Sequence, residues 1–401
     1  MKKVLIIHHS GVLGGAGTSL MHVIESLQDK YDVTLYISAA PRDMVEKIYS
    51  KNLKVTVKEY TERIGALTYY EGGDNAVSPR FMYRTLLIAK QRKYWQGVID
   101  SEKPDIFIVN SKILSWFGSL DFPENCKTVC FVRESLKGNK DSWLNKRIRR
   151  YLDMFTQVFF LSEYDTQQIK LEKAETVVVP NFISPENYNL DITKEEAYDK
   201  LNIPSEDKEF NVLYAGGVNH LKGFDVAVKA ASLLKNDNIK FTVAGNGFGE
   251  LSNPKNFKEK ISRRGQVKFE QDMKEIISQQ GLESKFNFIG RQSNMSYAYT
   301  ACDALIFPMT KPHQARPVFE AGYYHKPAII SDFPNIKEYV HDDINGKTFD
   351  VNDVEELVKV LKEMADNKEK TDAMGEANYE QTMRLHYKDN NMAYIIKKLE
   401  E

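Results

Sequence analysis

The chain has 401 residues, 42% of them hydrophobic and 28% charged, with a formal net charge of −1. That length exceeds what one core normally fills, so two domains are expected. The balanced charge argues against a dedicated nucleic-acid binder. Cys126, Cys130 and Cys302 make no disulfide framework and are expected to be reduced. The opening MKKVLIIHHSG has too short an apolar run for a signal peptide and reads as a first buried strand. No stretch approaches the roughly 18 apolar residues of a spanning helix.

Residues 4–7 read as the first strand, followed by the turn HHSGVLGGAGT and a helix over 19–27 with Leu20, Val23, Ile24 and Leu27 on one face. Gly14, Gly15 and Gly17 permit a tight turn and close approach of a ligand to the backbone. The turn lacks the Gly-Lys-Ser/Thr ending of a P-loop and a clean dinucleotide fingerprint, so a turn that merely starts a helix fits as well. Strands are expected over 33–37 and 55–57, a helix over 44–50, a loop over 66–79 and a long helix over 80–100. Strands over 106–110 and 127–132 follow. Arg133 and Glu134 leave the second of these, either facing a ligand at the sheet's carboxyl edge or forming an ordinary surface pair. Lys146, Arg147, Arg149 and Arg150 cluster with Trp143 and Leu144, as a solvated helix face or as a surface for anionic headgroups. Strands over 158–161 and 177–179 complete this half, and a polar linker spans 186–210.

The alternation then begins again. A strand over 212–215 leads into GGVNHLKGFD and a helix over 226–234; a strand over 240–244 precedes GNGFG, and one over 286–289 precedes Gly290 and Arg291. Strands over 304–307 and 327–330 flank a helix around 319–324, and 354–399 is helical with a break near 366–370. Two such series mean two doubly wound α/β domains. Between the strands over 304–307 and 327–330, a helix N-terminus can hold a phosphate and Arg316 can add a forked cation. Glu320 can accept hydroxyls from a ribose or sugar. Lys222, in a glycine-bracketed loop, can reach a diphosphate. Each alone also fits a surface charge, but all of them follow parallel strands, which points to a nucleotide diphosphate without a phosphoryl-transfer motif. The scattered histidines form no HExxH or Cys/His pattern, so no metal site is expected.

Five segments together resemble a known family: HSGVLGGAGTSLMHVIESL, VLYAGGVNHLKGFDVAVKAASLL, FTVAGNGFGE, FIGRQSNMSYAYTACDALIFPM and RPVFEAGYYHKPAIISDFPNIKEYVHDDINGKTF. The chain is similar to retaining GT-B glycosyltransferases of family 4, which include bacterial mannosyl-, glucosyl- and N-acetylglucosaminyltransferases. The resemblance implies two Rossmann-like domains facing across a cleft: an acceptor-side domain over 1–185, a linker over 186–210, a nucleotide-sugar domain over 211–372, and a helix over 373–401 crossing back. It implies Lys222, Arg316 and Glu320 as catalytic residues, with Glu320 on the donor ribose. Gly14, Gly15, Gly216, Gly217, Gly245, Arg291, Pro317 and Val318 would line the donor. No metal or other cofactor is implied; the substrate would be a nucleotide-sugar, a UDP-sugar first. The acceptor would be a glycan or lipid-linked glycan, in envelope, capsule or exopolysaccharide synthesis at the cytoplasmic face of the membrane.

The pattern departs from the family in particular places. The glutamate usual eight residues before Glu320 is Pro312, and the usual arginine of the phosphate loop is Gly217. A histidine common after a strand of the N-terminal domain is absent near Arg133 and Glu134. Arg316, then Arg133, are the expected phosphate replacements, and His313 would take part of the missing carboxylate's contact with sugar hydroxyls. Two alternatives stay open: an epimerase of the UDP-N-acetylglucosamine type, and a catalytically silent sugar-nucleotide-binding subunit of a transferase complex.

Overall fold

The computed structural model describes residues 1–204, 209–250, 264–312 and 314–401, so His313 lies outside the described residues. The chain divides into two compact units, Met1–Phe182 with Lys388–Glu401, and Ile183–Tyr387. Each is built on one parallel sheet.

The first unit's strands are β1 (Lys3–His8), β2 (Asp32–Ser38), β3 (Val55–Tyr60), β4 (Ile106–Val109), β5 (Lys127–Phe131), β6 (Gln157–Phe160) and β7 (Glu175–Val178). They lie in the order β3-β2-β1-β4-β5-β6-β7. A parallel sheet needs crossover helices on both faces, so its central strands are apolar throughout rather than alternating. In β1, Val4 and Ile6 pack on one face with Leu20, Val23 and Ile24 of helix Gly15–Leu27. Leu5 and Ile7 pack on the other with Trp95, Ile99 and Trp116. Helix Gly15–Leu27 starts earlier than its apolar periodicity indicates. Its glycines occupy the first turn, where the N–H groups have no partner within the helix in any case.

The second unit's strands are β8 (Phe210–Tyr214), β9 (Ile239–Ala244), β10 (Phe286–Gly290), β11 (Ala304–Phe307), β12 (Ala328–Ser331) and β13 (Gly346–Phe349). Their order is β10-β9-β8-β11-β12-β13, so the sequence of strands reverses between β8 and β11. The short GKTF of β13 has little strand signature of its own; its parallel register with β12 defines it.

The polar stretch 186–210 contains helix Lys194–Leu201, started by a capping box of Thr193 and Glu196. Ala197 of that helix is buried in one cluster with Ile183, Ala298 and Tyr299. Near the other end of the chain, helix Lys368–Leu385 stays in the second unit, whereas helix Lys388–Glu400 belongs to the first. Met392, Ile395 and Leu399 of the latter enter the cluster that holds Val4, Ile6 and Leu20. Cys126, Cys130 and Cys302 are free thiols. Among the described residues no helix is long and apolar enough to cross a membrane.

Candidate functional site

In open parallel sheets, loops leave neighbouring strands in opposite directions where the strand order reverses, and a crevice opens at the carboxyl edge. In the second unit that place lies between β8 and β11. The loop after β8 is held against the loop after β9: Gly217 N–H donates to Ala244 O at 2.9 Å, and Val218 N–H to Asn246 O at 2.8 Å. The next loop joins them through Gly245 N–H to Gly290 O at 2.9 Å, and through Arg291 Nε to the Asn246 side chain. Gly216, Gly217, Gly245 and Arg291 thus stand side by side.

Gly217 has φ +62°, and a Cβ there would lie 2.6 Å from the Asn246 nitrogen. An arginine does not fit this backbone.

Lys222 ends a short helical turn, His220–Lys222, started by Asn219, whose side chain accepts from Leu221 N–H at 2.9 Å. Gly223 follows at φ +79°, where a Cβ would overlap the Pro308 carbonyl. This close approach seats the Lys222 loop on the segment leaving β11. The ammonium of Lys222 lies 5.3 Å from the centre of the Phe307 ring. Burial lowers its pKa to about 8. A cation held with so little water is suited to an anionic ligand.

On the β11 side, helix Arg316–Tyr323 carries Arg316 and Glu320 one turn apart. Glu320 accepts from three donors: Arg316 Nε at 2.8 Å, Tyr188 O–H at 2.9 Å and Tyr299 O–H at 2.8 Å. Burial, then the Glu320 charge, push both phenols up in pKa, so they remain donors. Pro317 has no N–H, and that of Val318 is taken by Ala315 O at 2.9 Å. These two residues shape the first turn rather than supply donors. Tyr188 and Tyr299 carry no sequence signal tying them to Glu320; only the packing of Tyr188 and Tyr299 against this helix reveals them.

In the first unit, Gly14 and Gly15 stand exposed at the start of helix Gly15–Leu27, and a Cβ at either would meet nothing closer than 3.9 Å. Arg133 and Glu134 are not a surface pair. Glu134 is half-buried, accepting from the Ser111 hydroxyl and, at 3.1 Å, from Lys112 N–H, and desolvation raises its pKa. Arg133 Nε donates to Asn110 Oδ1 at 3.0 Å and its guanidinium lies over the Phe131 ring. Beside them His8 is fully buried, and burial, then His9 and Arg133, hold its pKa well below the usual value.

Residues 194–381 match the family model described as Glycosyl transferases group 1. No curated protein matches the chain significantly. In three dimensions the chain is similar to Anabaena Alr3699/HepE in complex with UDP and glucose, with a TM-score of 0.76, 16% identity and 100% of both chains covered. It is similar to a glycosyltransferase from Rickettsia africae, with a TM-score of 0.73 and 16% identity over 99% of this chain and 98% of that one. It is also similar to sucrose-phosphate synthase from Thermosynechococcus elongatus, with a TM-score of 0.72 and 14% identity over 99% and 98% of the two chains. At these identities the likeness is one of fold, and the fold is GT-B: two Rossmann-like α/β domains with parallel sheets.

The backbone at Gly217 generates a direct expectation. Gly217→Ala and Gly217→Arg should each destabilise the second unit by about 1–3 kcal/mol, the cost of a left-handed non-glycine residue. Urea denaturation checks this, and midpoints equal to wild type for both variants would show that the loop accepts a side chain.

Proposed function

We propose that the protein is a retaining glycosyltransferase that moves a sugar from a nucleotide diphosphate, a UDP-sugar first, to a hydroxyl of a glycan or lipid-linked glycan. The observation that carries this reading is the placement of Lys222 and the Arg316–Glu320 pair on either side of the β8/β11 reversal. The match of residues 194–381 to a glycosyltransferase family model supports it, as does the likeness to a protein whose structure holds UDP and glucose.

In the proposed reaction the bond from the anomeric carbon to the diphosphate oxygen breaks, and a bond to the acceptor oxygen forms on the same face. Negative charge grows on the leaving diphosphate. Lys222 and Arg316 stabilise it, and the loops at Gly216, Gly217, Gly245 and Arg291 enclose the donor. The acceptor's proton passes to the departing phosphate. No side-chain nucleophile and no metal is assigned a step. Glu320 receives the ribose hydroxyls, its orientation fixed in advance by Tyr188, Tyr299 and Arg316.

Incubation with a panel of nucleotide sugars and lipid-linked acceptors, scored for nucleotide release, tests the activity. UDP binding without release from any donor would favour the silent binding subunit. Lys222→Met should lower kcat by about 10²–10³-fold, as for loss of one preorganised donor to developing charge. UDP affinity of the wild type should fall as pH rises above about 8, because the ammonium that attracts the diphosphate is present below that pH and lost above it. Lys222→Met should show no such dependence. A matching pH profile in the variant would remove Lys222 from the site.

Glu320→Gln should weaken UDP binding by about 1.5–3 kcal/mol, the range for hydrogen bonds to charged groups. A 2′,3′-dideoxy analogue should lose much less. Equal losses in calorimetric titration would make Glu320 a structural partner of its tyrosines.

A membrane-facing role is proposed for helix Trp143–Leu152. Trp143 is 67% exposed, and Lys146 and Arg150 are exposed with it, whereas Arg149 is turned to the Ile169 carbonyl. The location that goes with this role is the inner face of the cell membrane. Lys146 and Arg150 should each add about 1 kcal/mol to binding of anionic vesicles. Flotation indifferent to anionic lipid would reject this.

A further inference from the structure

A cavity of about 310 Å³ in the first unit lies outside the groups discussed above. His9, Glu62, Arg63, Tyr70, Arg80 and Arg84 are among its lining residues. Its volume suits a single ring-sized ligand. The convergence of charge follows from the fold. His9 leaves β1, Arg63 lies beyond the end of β3, and Arg80 and Arg84 are one turn apart on helix Pro79–Glu102.

The negative charge nearby does not balance these guanidinium groups. Glu62 is on the lining, and Asp74 is 3.7 Å from Arg80 but is held at 2.7 Å by the Thr68 hydroxyl. Burial, then the neighbouring Arg80 and Arg63, lower the pKa of Arg84. Burial, then Arg84, lower that of His9 to about 4, so His9 is neutral at neutral pH. Two atoms give an independent sign of a ligand. Arg84 Nε and His9 Nδ1 are buried and have no hydrogen-bond partner among the described residues. An unpaired buried donor and crowded like charges both cost stability, and one anion with several acceptor oxygens relieves both.

An adjoining cavity of about 420 Å³ shares Tyr60, Glu62 and Ile64 with the first and is lined by Tyr94 and Trp95. The Tyr94 ring, which is exposed beside the cationic pocket, suits a sugar that carries a charge, with its apolar C–H face on the ring, better than a bare inorganic ion. We propose that the arginine-lined pocket binds the anionic group, carboxylate or phosphate, of an acidic sugar in the acceptor. Its role as an acceptor subsite rests on the transferase function proposed above; its binding of an anionic sugar does not.

Calorimetric titration of the full chain with glucuronate, glucose 6-phosphate, glucose and inorganic phosphate tests this, with UDP titrated into the same preparations. At least one charged sugar should bind about tenfold or more tighter than glucose and than inorganic phosphate. Preference for glucuronate identifies the carboxylate source, and preference for glucose 6-phosphate the phosphate source. Arg84→Gln and Arg63→Gln should each weaken that binding about tenfold or more, with UDP affinity unchanged. Arg63 is exposed, so its variant keeps the test readable should Arg84→Gln impair folding. Glucose or inorganic phosphate binding as tightly as the charged sugars, no binding of either charged sugar, or undiminished binding in Arg63→Gln would overturn the assignment. Failure of UDP to bind the wild type would instead count against the transferase function.

Discussion

The reversal of strand order between β8 and β11 is the constraint on which the candidate site depends. Two strands that are neighbours in the sheet but distant in sequence send their following segments apart, and the gap between them cannot be filled by either helix. The Lys222 loop and the helix that begins at Arg316 are the two walls of that gap. The glycine loops after β8, β9 and β10 brace one wall through main-chain hydrogen bonds. A change of side chain in those loops therefore acts first through the backbone.

The two walls handle charge differently. Glu320 is provided with three donors before any ligand arrives, so its orientation requires no rearrangement on binding. Lys222 is partly stripped of water over an aromatic ring, which disfavours its charged form. One group is prepared by hydrogen bonding and the other by desolvation. The combination suits the proposed donor, which has hydroxyls at one end and concentrated negative charge nearby.

Much of this was legible in the sequence because buried parallel strands are continuous apolar runs, and those runs recur in two series. Lys222, Arg316 and Glu320 were legible because each follows such a run. What was hidden depends on tertiary packing. Tyr188 and Tyr299 reach Glu320 from 132 and 21 residues away, with no spacing to announce the contact. Gly217 reads as a missing arginine, whereas the folded loop requires its left-handed backbone. The polar segment 186–210 conceals a helix whose single buried residue, Ala197, leaves almost no amphipathic pattern. The arginines of the first unit's cavity are spread over a loop and a helix, where each by itself is an ordinary surface charge.

The path of the chain has a consequence for its biosynthesis. The first unit holds Met1–Phe182 and Lys388–Glu401, and the whole of Ile183–Tyr387 is inserted between them. The apolar groups of Met392, Ile395 and Leu399 reach the core around Val4 and Leu20 only when the last helix has left the ribosome. The inserted unit has all its strands available earlier, since domains tend to fold as they emerge. The segment made first thus waits for one made much later, and until then it exposes the apolar strip that helix Lys388–Glu400 covers.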